Sequence, residues 1–153
     1  MYKKLPKIVS QSSTWTCWAA GMESWLDSTP LRLKETQENL ISTYATNDNG
    51  GLNPISDNGR DFATLADDFS IEFEVTRRLR LNFIDEHLKI SHVLLIFNLF
   101  PGVAHTNVVY GIGMPQGTDR MLSVMDPNPG VYVNRHPSFY SKRLLMIGWA
   151  AKI

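Results

Sequence analysis

The chain has 153 residues, of which 43% are hydrophobic and 20% charged, and its 15 basic and 15 acidic side chains give no net charge. This composition predicts one globular domain over residues 1–153 with a sizeable core, and it gives no indication of a nucleic acid or an anionic membrane as partner. No apolar run approaches the ~18 residues of a membrane span, and the N-terminal segment does not resemble a cleaved secretion signal.

The first half of the chain has mainly helical patterns. Residues 1–10, which contain Ile8 and Val9, form either a short arm or an edge strand. A helix then begins near Cys17 and is stopped by Pro30, because proline disfavours helix in the residue before it. Apolar residues at helical spacing predict three further helices, over 33–44, 57–69 and 82–90. Their predicted inward residues are Leu33, Leu40, Ile41 and Tyr44 in the first, Phe62, Leu65, Ala66 and Phe69 in the second, and Phe83, Leu88 and Ile90 in the third. The segment 47–58 is rich in turn residues and is either a solvated connection or a lid that faces the substrate.

Alternating or continuous apolar residues predict strands, most of them in the second half. The predicted strands are 71–76, 92–97, 105–113, 121–125, 131–133 and 144–149, with turns at 100–102, 115–119 and 126–130. The run 92–97 is apolar almost throughout, which indicates a central strand buried on both faces. Helices followed by antiparallel strands predict an α+β fold with the helices packed on one side of the sheet.

Cys17 is the only cysteine, so the chain cannot form an internal disulfide, which fits a reducing compartment. In the first turn of a helix, unpaired backbone N–H groups and the positive end of the helix dipole favour the thiolate, the nucleophilic form of this side chain. The alternative is a small buried hydrophobic residue, which is the usual environment of a free cysteine.

Three short motifs lie around and after this cysteine in a defined order. Gln11 precedes the Cys17–Trp18 pair by six residues, 105–113 is a histidine-led apolar strand with glycines at its end, and Asp126 is followed by proline. This set resembles the papain-like cysteine peptidases over residues 11–149. Within them it is most similar to compact bacterial members, the bacteriocin-processing peptidases that cut after a double glycine and the avirulence-effector cysteine proteases.

The resemblance implies a papain-like fold. In such a fold an N-terminal helical half packs on a C-terminal antiparallel sheet, and the active site lies in the cleft between them. The chain departs from the larger plant and lysosomal enzymes in two respects. The histidine follows the cysteine at a shorter spacing, and the glycine-rich surround of their cysteine is missing, so the resemblance points to the compact bacterial branch.

Of the four histidines, His105 is the candidate for the general base, because it opens a strand and is flanked by glycines that let a substrate backbone approach. His92 also begins a predicted strand and is the main alternative. His87 lies in a charged helical segment and is expected at the surface, and His136 precedes a proline in a polar loop. The alternative, non-catalytic interpretation of His105 is a histidine at the end of a strand that is hydrogen-bonded to water.

Asp126 is expected to accept the imidazole N–H of His105 and to fix its tautomer. Asn107 and Asn128 are alternatives, because many papain-like enzymes use asparagine in this role. Asn107 shares a face with His105 only two residues along one strand, a poor angle for holding the ring. An aspartate before a proline is also common at the start of a turn. The alternative, non-catalytic interpretation of Asp126 is therefore a residue that begins a turn.

Gln11 is expected to donate its side-chain N–H, together with the backbone N–H of Cys17, to the oxyanion of the tetrahedral intermediate. Trp18 is expected in the core beneath the site, and Trp15 and Trp149 either in the core or on the wall of the cleft. No metal and no other cofactor is expected, because no Cys/His pair has the spacing of a zinc site and no phosphate-binding loop occurs.

The expected function is that of a cysteine endopeptidase that cuts protein substrates, with a small residue such as glycine before the cleaved bond. The resemblance further suggests a bacterial effector or toxin that is made in the cytoplasm, exported without a cleaved signal and active in the cytoplasm of a recipient cell. A cognate immunity protein is the expected partner. Glutamine deamidation or transglutamination by the same Cys-His-Asp set, and an inactive binding module, are the alternatives.

Overall fold

The computed structural model describes residues 4–100, 103–115, 117 and 119–152, with the side chain of residue 100 left aside. Part of the predicted turn at 100–102, residues 116 and 118 of the predicted turn at 115–119, and the first three residues of the N-terminal arm lie outside this description. Residues 4–10 have no regular secondary structure and do not pair as an edge strand of the sheet, so of the two predictions for this segment the arm is the one found.

Helix α1, Cys17–Ser28, begins at the predicted cysteine and is the most deeply buried helix of the fold. Trp18, Met22 and Trp25 face the core along its length and are almost completely inaccessible to solvent, as their helical spacing predicts. The helix ends before Pro30, where the backbone N–H and the hydroxyl of Thr29 both donate to the Trp25 carbonyl, at 3.0 and 2.6 Å.

Helix α2, Gln37–Tyr44, is shorter at its start than the predicted segment 33–44. Thr36 ends the preceding loop and caps the helix, because its hydroxyl accepts a hydrogen bond from the Asn39 N–H at 3.2 Å. Leu33 is therefore not part of the helix and is 81% exposed. The prediction that Leu33 lies on the apolar face of this helix is wrong.

The predicted helix over 57–69 is interrupted in the structure. A single turn, α3 (Ser56–Gly59), and a 3-10 turn, Arg60–Phe62, precede the short helix α4, Ala63–Asp68. The interruption has a backbone cause, because Asp57, Asn58 and Gly59 all have positive φ angles, which a continuing right-handed helix does not contain. The residues predicted to face the core nevertheless do so, apart from Phe69, which is half-buried.

The sheet has six strands, all antiparallel, and the fold is of the predicted α+β class. Its strands are β1 (Ile71–Thr76), β2 (Val93–Phe100), β3 (Val103–Gly113), β4 (Met121–Asp126), β5 (Val131–Arg135) and β6 (Leu145–Ala150). Their order is β1-β6-β2-β3-β4-β5, so the last strand of the chain inserts between the first two. Strand β2 is central and buried on both faces, as its continuous apolar run predicts.

Helices cover both faces of this sheet, which corrects the prediction that they lie on one side. Helices α1, α2 and α4 pack with Leu94 and Ile96 in one core cluster. Helix α5, Leu81–Leu88, packs with Val93 and Leu95 in a second cluster on the opposite face, because alternate residues of a strand point to opposite sides. Ile84 and Leu88 anchor α5, whereas Ile90, which was predicted to face inward, lies beyond the helix and is exposed.

Helix α1 lies unusually close to strand β3. Gly21 of α1 faces Thr106 of β3, and a Cβ atom built on Gly21 would be 2.5 Å from the Thr106 Cγ2 atom. Glycine therefore permits a backbone approach that any larger residue would prevent. This contact brings the first residue of α1 next to the first residues of β3.

No helix in the described part of the chain is long and apolar enough to cross a membrane.

Candidate active site

Cys17 is the first residue of α1, so its backbone N–H is one of the groups that have no acceptor within the helix. The first turn of α1 contains no acidic residue that would compete for these donors. The Cys17 Sγ atom lies 3.4 Å from the Ala104 carbonyl oxygen, to which the thiol donates, and 3.8 Å from the Thr106 hydroxyl, which donates to sulfur. The side chain is 4% exposed and reaches the surface through a pocket.

His105 and Asp126 come from neighbouring strands and are in direct contact. His105 is the third residue of β3, and Asp126 is the last residue of β4. The His105 Nε2 atom lies 2.6 Å from the Asp126 Oδ1 atom, and both side chains are buried. The bond to Nε2 leaves Nδ1 as the second ring nitrogen. The expected base and orienting group are thus in direct contact, and Cys17 is near enough to His105 to influence its pKa.

The charge states of this pair are set by opposing effects. Burial is the largest influence on His105 and lowers its pKa, but hydrogen bonds and charges from Asp126 and Cys17 outweigh it and raise the pKa to about 9. Burial raises the pKa of Asp126, but hydrogen bonds from His105, the Asn128 N–H and Arg135 bring it down to about 2. At neutral pH, His105 is therefore a cation and Asp126 an anion.

Two further groups hold the Asp126 carboxylate. The backbone N–H of Asn128 donates to Oδ1 at 2.9 Å, within the turn that Pro127 begins, and the Arg135 Nη2 atom donates to Oδ2 at 2.7 Å. Arg135 was not among the residues selected from the sequence. Its only sequence signal is its place on the strand that follows the 126–130 turn, which returns alongside β4.

The Gln11 loop packs against the same turn. The Gln11 backbone N–H donates to the Pro127 carbonyl at 2.9 Å, and the Ser10 hydroxyl donates to the Pro129 carbonyl at 2.7 Å. The Gln11 Oε1 atom is buried and has no hydrogen-bond partner among the residues that the structure describes. The Gln11 backbone is therefore fixed next to the turn that follows Asp126, while the amide oxygen of the Gln11 side chain makes no hydrogen bond to the described residues.

Helix α2 holds this loop from the other side. The buried Gln37 side chain donates from Nε2 to the Ser10 carbonyl at 2.8 Å and accepts the Ser12 N–H at Oε1, at 3.1 Å. The Gln37 backbone N–H in turn donates to Glu23 of α1 at 2.7 Å. Gln37 thus clamps the residues on either side of Gln11, a role that the sequence analysis did not foresee.

The alternative residues have other positions and partners. His92 lies at the opposite end of the β2–β3 pair from His105, because Val93 pairs with Val109 and Phe97 with His105. Burial lowers the pKa of His92 to about 4, so it is neutral at physiological pH. The Asn107 side chain accepts a hydrogen bond from the Tyr140 hydroxyl at 2.7 Å, and Asn128 donates a hydrogen bond to Asp126 from its backbone N–H.

The other two histidines lie elsewhere. His87 is half-buried on α5, where its ring stacks on Trp149 with a centroid distance of 4.8 Å. The Trp149 indole also donates to Glu72, and Trp149 packs against the core cluster on the α5 face of the sheet. Of the two positions predicted for Trp149, core or cleft wall, the structure therefore shows the first. His136 is exposed and contacts Ser138.

A surface pocket opens beside Cys17. It is bordered by the start of α1, by the segment that was predicted to be either a connection or a lid, and by the start of β3. Its lining residues are Thr14, Trp15, Cys17, Trp18, Asn47, Asn49, Gly51, Leu52, Asn53, Pro54, Val103, Ala104 and Thr106. None of them is charged, and Trp15 is 44% exposed, so the pocket presents an aromatic ring and neutral polar groups next to the sulfur.

Within the residues that the structure describes, no group of three or more His, Cys, Asp or Glu side chains is placed to hold a metal ion. The arrangement contains a sulfur at a helix N-terminus, an imidazolium held by a carboxylate, and the Gln11 side chain in the preceding loop. No protein-family model matches the chain, and no curated protein matches it.

Proposed function

We propose that the protein is a papain-like cysteine endopeptidase in which Cys17 is the nucleophile, His105 the general base and acid, and Asp126 the orienting residue. The observation that carries the proposal is the 2.6 Å contact between His105 Nε2 and Asp126 Oδ1. It supports an imidazolium at His105, and an interaction with Cys17, the first residue of α1, also raises the pKa of His105. A thiolate and an imidazolium in contact are the starting state of thiol acyl transfer.

In the proposed first step, the Cys17 thiolate attacks the carbonyl carbon of the scissile peptide bond. A C–S bond forms and the carbonyl electron pair moves to oxygen, where the Cys17 backbone N–H and the Gln11 side-chain N–H stabilise the negative charge. The tetrahedral intermediate then collapses, the C–N bond breaks, and His105 donates its proton to the departing amine. The acyl group remains on sulfur as a thioester.

The second step hydrolyses the thioester. His105, now neutral, takes a proton from water as the water oxygen attacks the acyl carbon. The C–S bond breaks, the new carboxylic acid leaves, and the imidazolium–thiolate pair is restored. Asp126 does not exchange a proton in this scheme, because its low pKa keeps it ionised.

For the substrate, we propose a glycine or similarly small residue before the cleaved bond. The uncharged pocket with Trp15 beside Cys17 supports a narrow neutral site, in which a β-carbon would meet the aromatic wall. Exclusion of this kind discriminates more sharply than the loss of one methylene from a pocket, which is worth only about 1–3 kcal/mol. Bulky residues before the mapped cleavage sites would contradict this part of the proposal and leave the peptidase itself standing.

We also propose the biological setting of an effector or toxin that acts inside a recipient cell and is neutralised in the producer by a small immunity protein over the active site. An active peptidase would damage the cell that makes it. High-level expression of active enzyme in the producer without harm and without any such partner would contradict this setting.

The experiment that tests the function is incubation of the purified protein with a cell lysate, with the Cys17→Ala variant as the matched control. New peptide termini that appear only with the Cys17 protein support an endopeptidase. Conversion of glutamine to glutamate without new termini would instead support a deamidase, which uses the same three side chains. If neither new termini nor deamidated glutamines appear, the result would support an inactive binding module.

A further inference from the structure

Both oxygens of the Asp126 carboxylate are engaged, and by groups of different kinds. Oδ1 accepts from His105 and from the Asn128 backbone, whereas Oδ2 accepts from the guanidinium of Arg135 at 2.7 Å. The Asp126 side chain is only 3% exposed, and that of Arg135 is 23% exposed. The pair is therefore largely shielded from water, so neither charge is well solvated without the other.

Arg135 reaches Asp126 along the hairpin. In the β4–β5 pairing Arg135 lies opposite Leu122, whereas Asp126 lies opposite Val131, so the long side chain runs back towards the turn. Its guanidinium lies over the Phe139 ring at 4.3 Å, which fixes its plane. The Arg135 Nε atom is buried and has no partner within the described part of the chain.

The charges of the proposed site do not balance without this arginine. In the thiolate–imidazolium state of the proposed mechanism, Cys17 and Asp126 carry one negative charge each and His105 carries one positive charge, which leaves one uncompensated negative charge in a buried place. A buried uncompensated charge is strongly unfavourable. A neutral asparagine as orienting residue would avoid this cost, but this chain has an aspartate that touches His105.

We propose that Arg135 is a positioning residue of the active site, which neutralises the Asp126 carboxylate and fixes its plane so that an aspartate can orient His105. This inference rests on the proposed function of the site. Arg135 does not touch the reacting atoms. It acts through Asp126, in the way that an outer carboxylate or cation sets the orientation of a catalytic side chain from behind.

Charged and titratable groups from every surrounding element enter this balance. They are Cys17 of α1, His105 of β3, Asp126 of β4, Arg135 of β5, Tyr140 after the 3-10 turn Pro137–Phe139, and Arg143, whose guanidinium lies over the Phe97 ring. Burial raises the pKa of Tyr140, so the phenol stays neutral and adds no charge. Arg143 donates to the carbonyls of Phe139, Asn98 and Leu99 and makes no bond to Asp126, so it serves as the matched control.

The first test follows the Asp126 carboxyl group by NMR between pH 7 and pH 3 in the wild type and in Arg135→Met, Arg135→Lys and Arg143→Met. The wild type should remain ionised at pH 3. Arg135→Met should begin to protonate above pH 3, Arg135→Lys should resemble the wild type more closely, and Arg143→Met should resemble it fully. An unchanged titration in Arg135→Met would overturn the inference. Because this measurement requires no turnover, it is independent of the peptidase proposal.

The second test uses activity in two backgrounds. Arg135→Met should lower kcat on the order of tenfold to a hundredfold with little change in KM, as expected when a catalytic group is misplaced. In the Asp126→Asn background, where no carboxylate needs a counter-ion, Arg135→Met should lower kcat no further and should raise the melting temperature relative to Asp126→Asn alone. Equal losses of kcat in both backgrounds would show that Arg135 acts independently of Asp126 and would overturn the inference.

Discussion

At the scale of single residues, the site combines a raised and a lowered pKa in one buried contact. The pKa of His105 is raised from 6.5 to about 9, so its contribution to stability is complete below pH 6.5 and is lost as the pH rises through 9. The pKa of Asp126 is lowered from 3.8 to about 2, so its contribution is complete above pH 3.8 and is lost as the pH falls through 2. Both contributions to stability are therefore complete only between pH 3.8 and pH 6.5.

Turnover should follow the protonation of His105. We expect kcat to decline as the pH rises through about 9, because the leaving amine requires the imidazolium proton. Asp126→Asn removes a hydrogen bond to an anion and its charge, and should move this decline to lower pH. Measurement of kcat from pH 6 to pH 10.5 tests both expectations. A wild-type profile that stays flat to pH 10.5 would argue against His105 as the proton donor.

Gln11 is predicted to act on the transition state and not on substrate affinity. Gln11→Ala removes one proposed oxyanion donor, which typically costs on the order of 10²–10³ in turnover. Steady-state kinetics should therefore show a lower kcat with KM nearly unchanged. Gln11→Glu, which keeps the shape but places a carboxylate where the oxyanion forms, should be at least as impaired. A defect confined to KM would reassign Gln11 to substrate binding.

The residues of the site were accessible to sequence analysis only where a local motif marks them. Cys17 and Gln11 lie in one continuous segment, and His105 and Asp126 each have a recognisable neighbour pattern. Arg135 has none, because its relation to Asp126 depends on how far a long side chain runs along a hairpin. For Trp149 the sequence left the core and the cleft wall as alternatives, because the face of the sheet on which it lies depends on strand register.

At the scale of elements, the site depends on how closely α1 and the Gln11 loop are held. Gln37 of α2 bonds the backbone of Ser10 and Ser12 and so fixes the loop that carries Gln11. Gln37→Ala should lower kcat, and it should add little to the defect of Gln11→Ala, because both substitutions remove the same interaction. A double-mutant cycle on kcat tests this coupling, with Asn39→Ala on the exposed side of α2 as control. Fully additive losses would mean that Gln37 stabilises the protein without positioning Gln11.

The contact between α1 and β3 gives a second prediction at this scale. Gly21→Ala would place a methyl group 2.5 Å from the Thr106 Cγ2 atom, so α1 must shift away from the strand. Although alanine favours helix by about 1 kcal/mol over glycine, overpacking should dominate and lower the free energy of unfolding by about 1–3 kcal/mol. Urea denaturation measures this change. Thr106→Ser removes the methyl group in question and should restore part of the loss, whereas no restoration would place the strain elsewhere.

The limits of prediction at the element scale have local causes. The apolar spacing of 33–44 is continuous, but the Thr36 cap decides where α2 begins. The helical pattern of 57–69 is interrupted by positive φ angles at Asp57 and Asn58, residue types that tolerate the left-handed region. Long periodic segments such as α1 and β2 were predicted with nearly correct limits, because packing and periodicity agree there.

At the scale of the whole molecule, the α+β class followed from the segregation of helical and strand patterns, but the arrangement of the layers did not. The sheet carries α1, α2 and α4 on one face and α5 on the other, because alternate side chains of the central strands are apolar on both sides. The position of β6 between β1 and β2 joins strands that are far apart in the sequence, and no local pattern encodes it.

The same arrangement explains the place of the candidate site. The N-terminus of α1, the start of β3, the end of β4 and the Gln11 loop meet at one edge of the layers, while the large apolar clusters lie on either side of the sheet. Substitution of Cys17 should therefore change chemistry more than folding, since Cys17 belongs to neither cluster. Substitution of His105 should also lower stability, because it removes a partner of the buried Asp126 carboxylate.

The central claim is that Cys17 is a nucleophile kept reactive by His105. The measurement that tests it most directly is the rate of alkylation of Cys17 by iodoacetamide at pH 6, followed by mass spectrometry in the wild type and in His105→Ala. We expect rapid alkylation of the wild type and a rate lower by on the order of tenfold or more in His105→Ala, which has lost the imidazolium that stabilises the thiolate. Equal rates in the two proteins, or a wild type that reacts only above pH 8, would contradict it.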